Sequence, residues 1–250
     1  MKTALIAQRF AQAQDSYCQH AIAQQHVAAQ LLQHLQQHLI QPHLQRGLEI
    51  GCGSGLFTHA FLQHYTVDQL FLNDLYPEVK QHFPDTEQFI WNIGDIEQQY
   101  LPQSLDLVLS CSALQWMQNL TALTQKVNEA LKASGIFCFA SYAEDNLKEI
   151  KALTGQGLHY LSLDTVIDIL VAQGFEIVVA KEERVQLNFD QPRDVLKHIK
   201  ATGVQATAEG FRWTKASLNQ FEQHYAQFMT AEQLYPLTYH PIYLIARKNS

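Results

Sequence analysis

The sequence predicts an α/β fold: a mostly parallel sheet with helices on both faces. Three observations carry this. From Arg46 onward, short apolar runs alternate with stretches of helical period. The first run ends in a carboxylate and a turn holding three glycines, Gly51, Gly53 and Gly55, after which the pattern becomes helical. Two late apolar runs have no strong helix between them, which suits an antiparallel edge pair.

The elements follow in order. The first forty residues read as helix, with one apolar stripe at Ala4, Ile6, Ala7, Phe10 and Ala13. A longer stripe runs through Ala21, Ile22, Val27, Ala28, Leu31, Leu32, Leu35 and Leu39 until Pro42 stops it. Strands are expected at 47–50, 67–72, 88–93, 105–110 and 136–141, and helices at 56–65 and 120–131. A polar connection after Ser141 leads to a helix over 163–173, with Gly174 as its stop. A strand over 175–185, a broken helical segment over 190–227 and a last strand from about Thr238 to Ala246 complete the chain. No linker, repeat or low-complexity block divides it, so the 250 residues read as one domain.

Composition excludes several classes. A net charge of −7 argues against general nucleic-acid binding. The cysteines Cys18, Cys52, Cys111 and Cys138 include no C-x-x-C pair, so they read as buried free thiols of a reducing compartment. His34 and His38 stand four apart without a carboxylate or thiol nearby, and no metal is expected. No apolar run approaches the roughly 18 residues of a membrane span, and the N-terminus lacks a signal-peptide pattern. A cytoplasmic protein without membrane contact is the expectation.

The glycine turn LEIGCGSG is the first place where chemistry shows. Glycines there let the chain turn sharply and let a ligand approach without a Cβ in the way. Leu56 stands where a dinucleotide fingerprint has its third glycine, and no P-loop lysine follows. Glu49 would repel a phosphate and suits a cationic or amine-bearing ligand. Asp74 ends the second strand in FLNDLYP, where an acid can meet a ribose diol. Asp95 follows the third strand in NIGDIEQ, where it can accept from an adenine amino group while Ile96 packs on the base. Asp106, in LDLVLSCSALQW, extends this series of acids at strand ends.

Together these motifs, from Arg46 to Ser141, resemble the class I S-adenosylmethionine-dependent methyltransferases. The resemblance implies a Rossmann-like, seven-stranded, mostly parallel sheet with an antiparallel last strand. It also implies S-adenosylmethionine as cofactor, with Glu49, Gly51, Gly53 and Gly55 near its methionine part. Asp74 and Leu75 would then meet the ribose, Asp95 and Ile96 the adenine, and Ser110 the floor of the site.

The flanks narrow the resemblance. IAQRFAQAQDSYCQHA, ALQWMQNL, LKHIKATGV and YPLTYHPIYLIAR are similar to the malonyl-acyl-carrier-protein O-methyltransferases of biotin synthesis. Ser54 departs from the proline many members carry, and the segment between Asp74 and Asp95 is short for a full helix. The family implies methyl transfer to the free carboxylate of a malonyl thioester on acyl-carrier protein. That carboxylate is already ionised at neutral pH, since such groups titrate near roughly 4, and needs no general base. The enzyme has to hold it in line with the methyl, about 3–3.5 Å away, and keep water out.

The resemblance divides the chain into a helical lid over 1–45, a cofactor core over 46–142, and substrate-side helices with the last two strands over 143–250. Tyr17 on the lid, with Gln115 and Trp116 after the fourth strand, is expected to position the acceptor. Phe10 and His20 join the substrate side. Arg193, Lys197, Lys200, Arg212 and Lys215 outnumber Asp194 and Glu209 locally and would dock the acidic carrier protein. Rival readings are a class I methyltransferase for another small acid or a quinone precursor, and a non-catalytic protein that binds the cofactor. A dehydrogenase is disfavoured by the glycine spacing.

Overall fold

The structure, a computed structural model, describes residues 22–155, 157–202 and 214–249. Nine strands and seven α-helices are named here in chain order among those residues. Helix α1 (Ile22–His38) precedes β1 (His43–Ile50), α2 (Leu56–Leu62) and β2 (Thr66–Asp74). A 3-10 turn at Pro77–His82 replaces a helix before β3 (Phe89–Ile93), as the short spacing foretold. Then come β4 (Leu105–Cys111), α3 (Leu120–Ala130), β5 (Leu131–Tyr142), α4 (Lys148–Thr154) and α5 (Leu163–Ala172). The chain ends with β6 (Phe175–Glu182), β7 (Val185–Phe189), α6 (Pro192–Ala201), α7 (Lys215–Tyr225), β8 (Tyr235–Tyr239) and β9 (Pro241–Lys248).

The main sheet has seven strands in the order β3-β2-β1-β4-β5-β9-β6. Strand β9 runs antiparallel to both β5 and β6, and the β3-β2-β1-β4-β5 half is parallel throughout. Strand order reverses between β1 and β4, which leaves a crevice at their carboxyl ends. Alternation along the strands feeds two cores. Leu107, Leu109, Cys138 and Ala140 face one side, with Val27, Leu31, Leu35 and Phe61. Leu105, Val108, Phe137 and Phe139 face the other, with Val127, Val166 and Leu170. Burial on both faces explains why these strands read as continuous apolar runs.

Three expectations need correction. The strand foreseen over 175–185 ends at Glu182, and β7 begins afresh at Val185 to pair with β8 in a separate two-stranded sheet. The last strand is likewise two, broken at His240, whose N–H is drawn off to Asn146 Oδ1 at 3.2 Å. Pro241 then has no N–H to continue a ladder. The expected antiparallel edge pair is present, with β6 outermost and β9 between it and β5. The polar connection after Ser141 also holds α4. Its Glu149 is 2% exposed and accepts from the Thr238 backbone N–H (3.0 Å) and hydroxyl (2.5 Å). A polar sequence there disguises a docked helix. No helix among the described residues is long and apolar enough to cross a membrane.

Candidate functional site

A cavity opens at the carboxyl ends of β1, β2 and β4. Glu49, Gly51, Gly53, Asp74, Leu75, Asp95, Ile96 and Trp116 all line it, so most of the residues expected at the cofactor converge, with Trp116 beside them. The three glycines of the turn owe their places to local physics. Gly51, Gly53 and Gly55 have φ of +72°, +52° and +78°, the left-handed region that side chains resist. Their reasons for being glycine differ. A Cβ on Gly51 would collide with the Ala113 methyl, and one on Gly55 would come within 2.6 Å of His59 Nε2. A Cβ on Gly53 would meet nothing within 4 Å, because it would project into open cavity. Gly53 is thus bare for a ligand, whereas Gly51 is bare for packing. Gly55 stands outside the lining as the residue before α2.

The acids are held firmly. Glu49, 1% exposed, accepts the Thr58 hydroxyl at 2.6 Å. Burial, opposed by that bond, pushes its carboxyl up to about 8. Asp74 accepts the backbone N–H of Gly53 at 2.8 Å and of Leu75 at 2.7 Å. Burial still raises its carboxyl to about 6. Asp95 accepts the Glu97 N–H at 3.0 Å and starts a tight turn that presents Ile96. Lys126 on α3 holds this loop by donating to the carbonyls of Ile96 (3.0 Å), Glu97 (3.2 Å) and Gln99. Glu97 returns the tie by accepting the N–H groups of Gln118 (3.0 Å) and Asn119 (2.7 Å).

Other predicted residues fall elsewhere. Ser110 is fully buried off the lining, its hydroxyl spent on the Ile50 carbonyl at 2.9 Å. Asp106 lies at the far end of the sheet. It accepts the N–H groups of Gln45 (2.8 Å) and Arg46 (2.9 Å) and pairs with Lys132 at 2.6 Å. Burial raises its carboxyl, but those partners outweigh burial and hold it below the ordinary range. It fastens β4 to β1 and does not belong to the cavity. Cys52 and Cys138 are buried and Cys111 is partly so, all three as free thiols.

A second, smaller cavity adjoins the first and is lined by Gln115, Asn146, Tyr160 and Tyr239 among others. Gln115 donates to the Ser112 carbonyl at 2.6 Å. Ser112 sits at φ +61°, unusual for a residue with a side chain, and its hydroxyl lies 3.1 Å from that of Tyr142. Sequence reasoning missed Gln24, Ser112 and Tyr142. Gln24 hides in a glutamine-rich helix, and nothing in the local sequence marks Ser112 as strained.

Phe10, Tyr17, His20 and Arg212 lie outside the described residues. Helix α1, the later part of the expected lid, is scaffold: Leu31 and Leu35 are wholly buried against the core. On α6, Arg193 pairs with Glu222 of α7, and Lys197 pairs with Asp194 at 2.8 Å. Lys200 and Lys215 are exposed and make no ion pair with the described residues. The basic surface is therefore thinner than the sequence count suggests.

The cavity fits a cationic nucleoside. Its acidic groups are Glu49, Asp74 and Asp95, with no Lys, Arg or His among the described lining residues, and Gly53 leaves room beside them. The pattern of a family described as a methyltransferase domain matches residues 48–139. The fold resembles the YcgJ protein from Bacillus subtilis (TM-score 0.64, 16% identity, 90% of this chain and 99% of that one). It also resembles the N-methyltransferase NodS from Bradyrhizobium japonicum, solved with S-adenosyl-L-homocysteine (TM-score 0.52, 18% identity, 89% and 86%). Sheet order, glycine turn and acidic cavity together define a class I S-adenosylmethionine-dependent methyltransferase.

Curated relatives fix the family more closely. A malonyl-[acyl-carrier protein] O-methyltransferase from Acinetobacter baylyi is 46% identical over 252 residues, covering 100% of this chain and 98% of the relative. One from Bacteroides thetaiotaomicron is 34% identical, covering 99% of each. A Bacteroides fragilis relative is 40% identical across 98% of this chain, which spans 50% of that longer protein. The chain belongs to the malonyl-[acyl-carrier protein] O-methyltransferase family.

Proposed function

We propose that this chain methylates the free carboxylate of a malonyl group carried on acyl-carrier protein, the ester that enters biotin synthesis. The observation that carries the proposal is the juxtaposition of two cavities. One has carboxylates as its charged groups and suits a sulfonium cation. The adjoining one is lined by neutral polar groups and suits an acceptor.

Bound there, S-adenosylmethionine supplies an electrophilic methyl, which the acceptor oxygen takes as the carbon–sulfur electron pair returns to sulfur. The residues of the chain provide position and dryness. Asp74 keeps acceptor capacity beyond its bonds to the backbone of Gly53, Leu75 and Tyr76, and holds the ribose hydroxyls. Asp95 and Ile96 hold the adenine, and the Gly53 backbone admits the methionine part next to Glu49. Ser110 supports this floor from beneath through Ile50. Trp116 and Gln115 flank the acceptor side and exclude water. The family resemblance assigns Tyr17 to positioning the acceptor. Lys200 and Lys215, with Arg212, meet the acidic carrier protein, while Arg193 ties α6 to α7 and Lys197 pairs with Asp194 within α6.

Mass spectrometry of malonyl-carrier protein incubated with S-adenosylmethionine tests the function. A gain of one methyl group is expected, with none on acetyl-carrier protein. Equal labelling of both, or of neither, would sink it.

A further inference from the structure

We infer that the Tyr160 hydroxyl donates a hydrogen bond to the acceptor's carboxylate, on the oxygen that does not attack the methyl, and that Asn146 aims it. This inference rests on the function proposed above. Ser112 and Trp116 line both cavities, so the attacking oxygen sits beside them and the other oxygen faces the second cavity. No Lys, Arg or His is among the described residues lining either cavity, so neutral donors have to meet the anion. Several are already engaged. Thr202 gives its hydroxyl proton to the His198 carbonyl at 3.0 Å, Gln115 donates to the Ser112 carbonyl at 2.6 Å, and the Ser112 and Tyr142 hydroxyls share a bond at 3.1 Å.

Tyr160 is placed differently. It stands in the connection between α4 and α5, 7% exposed, and its hydroxyl is hydrogen-bonded to the Asn146 side chain. The network around Asn146 sets the direction of that bond. Asn146 Oδ1 accepts the His240 backbone N–H at 3.2 Å, and its NH2 group donates to the Tyr160 oxygen. Burial pushes the phenol up to about 12, and the Asn146 bond opposes it, as a bond donated to the phenol oxygen does. The turn bearing Asn146 is pinned twice more. Its N–H donates to the Ala143 carbonyl at 2.9 Å, and the Asp145 N–H donates to His240 Nδ1 at 3.2 Å. The break in the last strand at His240 thus orients the amide. A phenol oxygen that accepts from Asn146 still has its one proton to give, and no described residue takes it. Both residues line the second cavity, so that cavity is the side left open to the proton.

A neutral phenol suits this reaction. A guanidinium would pair with the carboxylate before transfer and lose that partner as the ester forms, which favours the ground state. The oxygen held by Tyr160 becomes the carbonyl oxygen of the ester and still accepts, so the bond lasts through the transfer. The phenol stays protonated at neutral pH, keeps the carboxylate in place and leaves its charge to be answered by the sulfonium. An acyl group without a carboxylate has nothing to offer this proton, so the same bond helps select malonyl over acetyl.

The test uses the whole protein with Tyr160→Phe, Asn146→Asp and the two combined. Rates are measured with malonyl-carrier protein, inhibition with acetyl-carrier protein, and S-adenosylmethionine affinity by calorimetry. Tyr160→Phe should raise KM for malonyl-carrier protein about tenfold, the size expected for one hydrogen bond to a charged group, while cofactor Kd stays within about twofold. The inhibition constant of acetyl-carrier protein should not change, since acetyl lacks the carboxylate. Asn146→Asp still accepts the His240 N–H but offers Tyr160 an acceptor where it had a donor. The phenol proton then turns inward, KM should rise as in Tyr160→Phe, and the combined variant should be little worse than Tyr160→Phe alone. If Tyr160→Phe does not fold, Asn146→Asp carries the same expectation. A parent that methylates while Tyr160→Phe keeps its KM, loses cofactor affinity in its place, or weakens acetyl-carrier protein equally, overturns the inference alone. Fully additive losses in the combined variant overturn the part given to Asn146. A parent that never methylates the malonyl thioester overturns the proposed function, and the inference with it.

Discussion

Replacing Glu49 by Gln should flatten the pH dependence of cofactor affinity. Burial lifts the Glu49 carboxyl from 4.5 to about 8 in the free protein, against the Thr58 bond that lowers it. At pH 7 that group is then roughly nine-tenths protonated. A cationic ligand favours the ionised form, so a proton must leave on binding. Each pH unit below 8 should weaken binding about tenfold, or about 1.4 kcal/mol, until the bound form also protonates. The ligand's own amino group titrates in this range, but it cancels in the ratio of parent to variant. Calorimetry at pH 6, 7 and 8, in two buffers of different ionisation heat, reads both affinity and protons released. The parent should release close to one more proton at pH 7 than Glu49→Gln, and the affinity ratio should narrow toward pH 6. Stability carries the opposite sign. The folded carboxyl is raised, so its contribution is complete below about 4.5 and is lost as pH rises to about 8. The ligand-free parent should therefore lose stability across that window relative to Glu49→Gln. Parallel pH profiles for the two proteins would refute a buried, titrating Glu49 beside the cation.

Other perturbations separate neighbouring residues. Gly53→Ala should stay folded, losing about 1–2 kcal/mol to left-handed strain, yet lose most cofactor affinity because its methyl enters the cavity. Gly51→Ala should instead lower the melting temperature more steeply through its clash with Ala113, and the reverse ranking would count against the cradle. Lys126→Met should weaken the cofactor several-fold without touching it, since the loop bearing Asp95 and Ile96 loses three carbonyl ties. Unchanged affinity in a folded Lys126→Met protein would show that α3 does not hold that loop. Lys200→Glu with Lys215→Glu should raise KM for malonyl-carrier protein, and parent KM should rise with salt, since exposed charges are screened over about 10 Å at 0.1 M. The rate with a short malonyl thioester should not change, and an equal loss on both substrates would place the docking surface elsewhere.

Much of the fold was legible because its signals are local. Strands buried on both faces must be apolar throughout, so β1, β4 and β5 announce themselves without reference to a partner. The Gly53 turn and the acid at the end of β2 were legible too, because a left-handed turn needs glycine and the strand's end sets where Asp74 points. The short interval after Asp74 leaves room for one 3-10 turn, and that also is simple chain length.

What the tertiary structure decided depends on partners distant in sequence. Asp106 looked like another acid of the series, but its place at the start of β4 gives it to Gln45, Arg46 and Lys132. The count of cations on α6 could not foresee that Glu222, 29 residues from Arg193, would neutralise one of them. The apolar runs over 175–189 and 235–248 fix strand content but not sheet membership. Whether a residue continues a ladder depends on where its N–H finds an acceptor, and at His240 that acceptor is Asn146, 94 residues away. Gln24 is the sharpest case: only the packing of α1 over β5 and β9 turns one glutamine among many into a buried side chain at a cavity wall. Periodicity is a property of neighbours along the chain, whereas hydrogen-bond satisfaction is a property of neighbours in space.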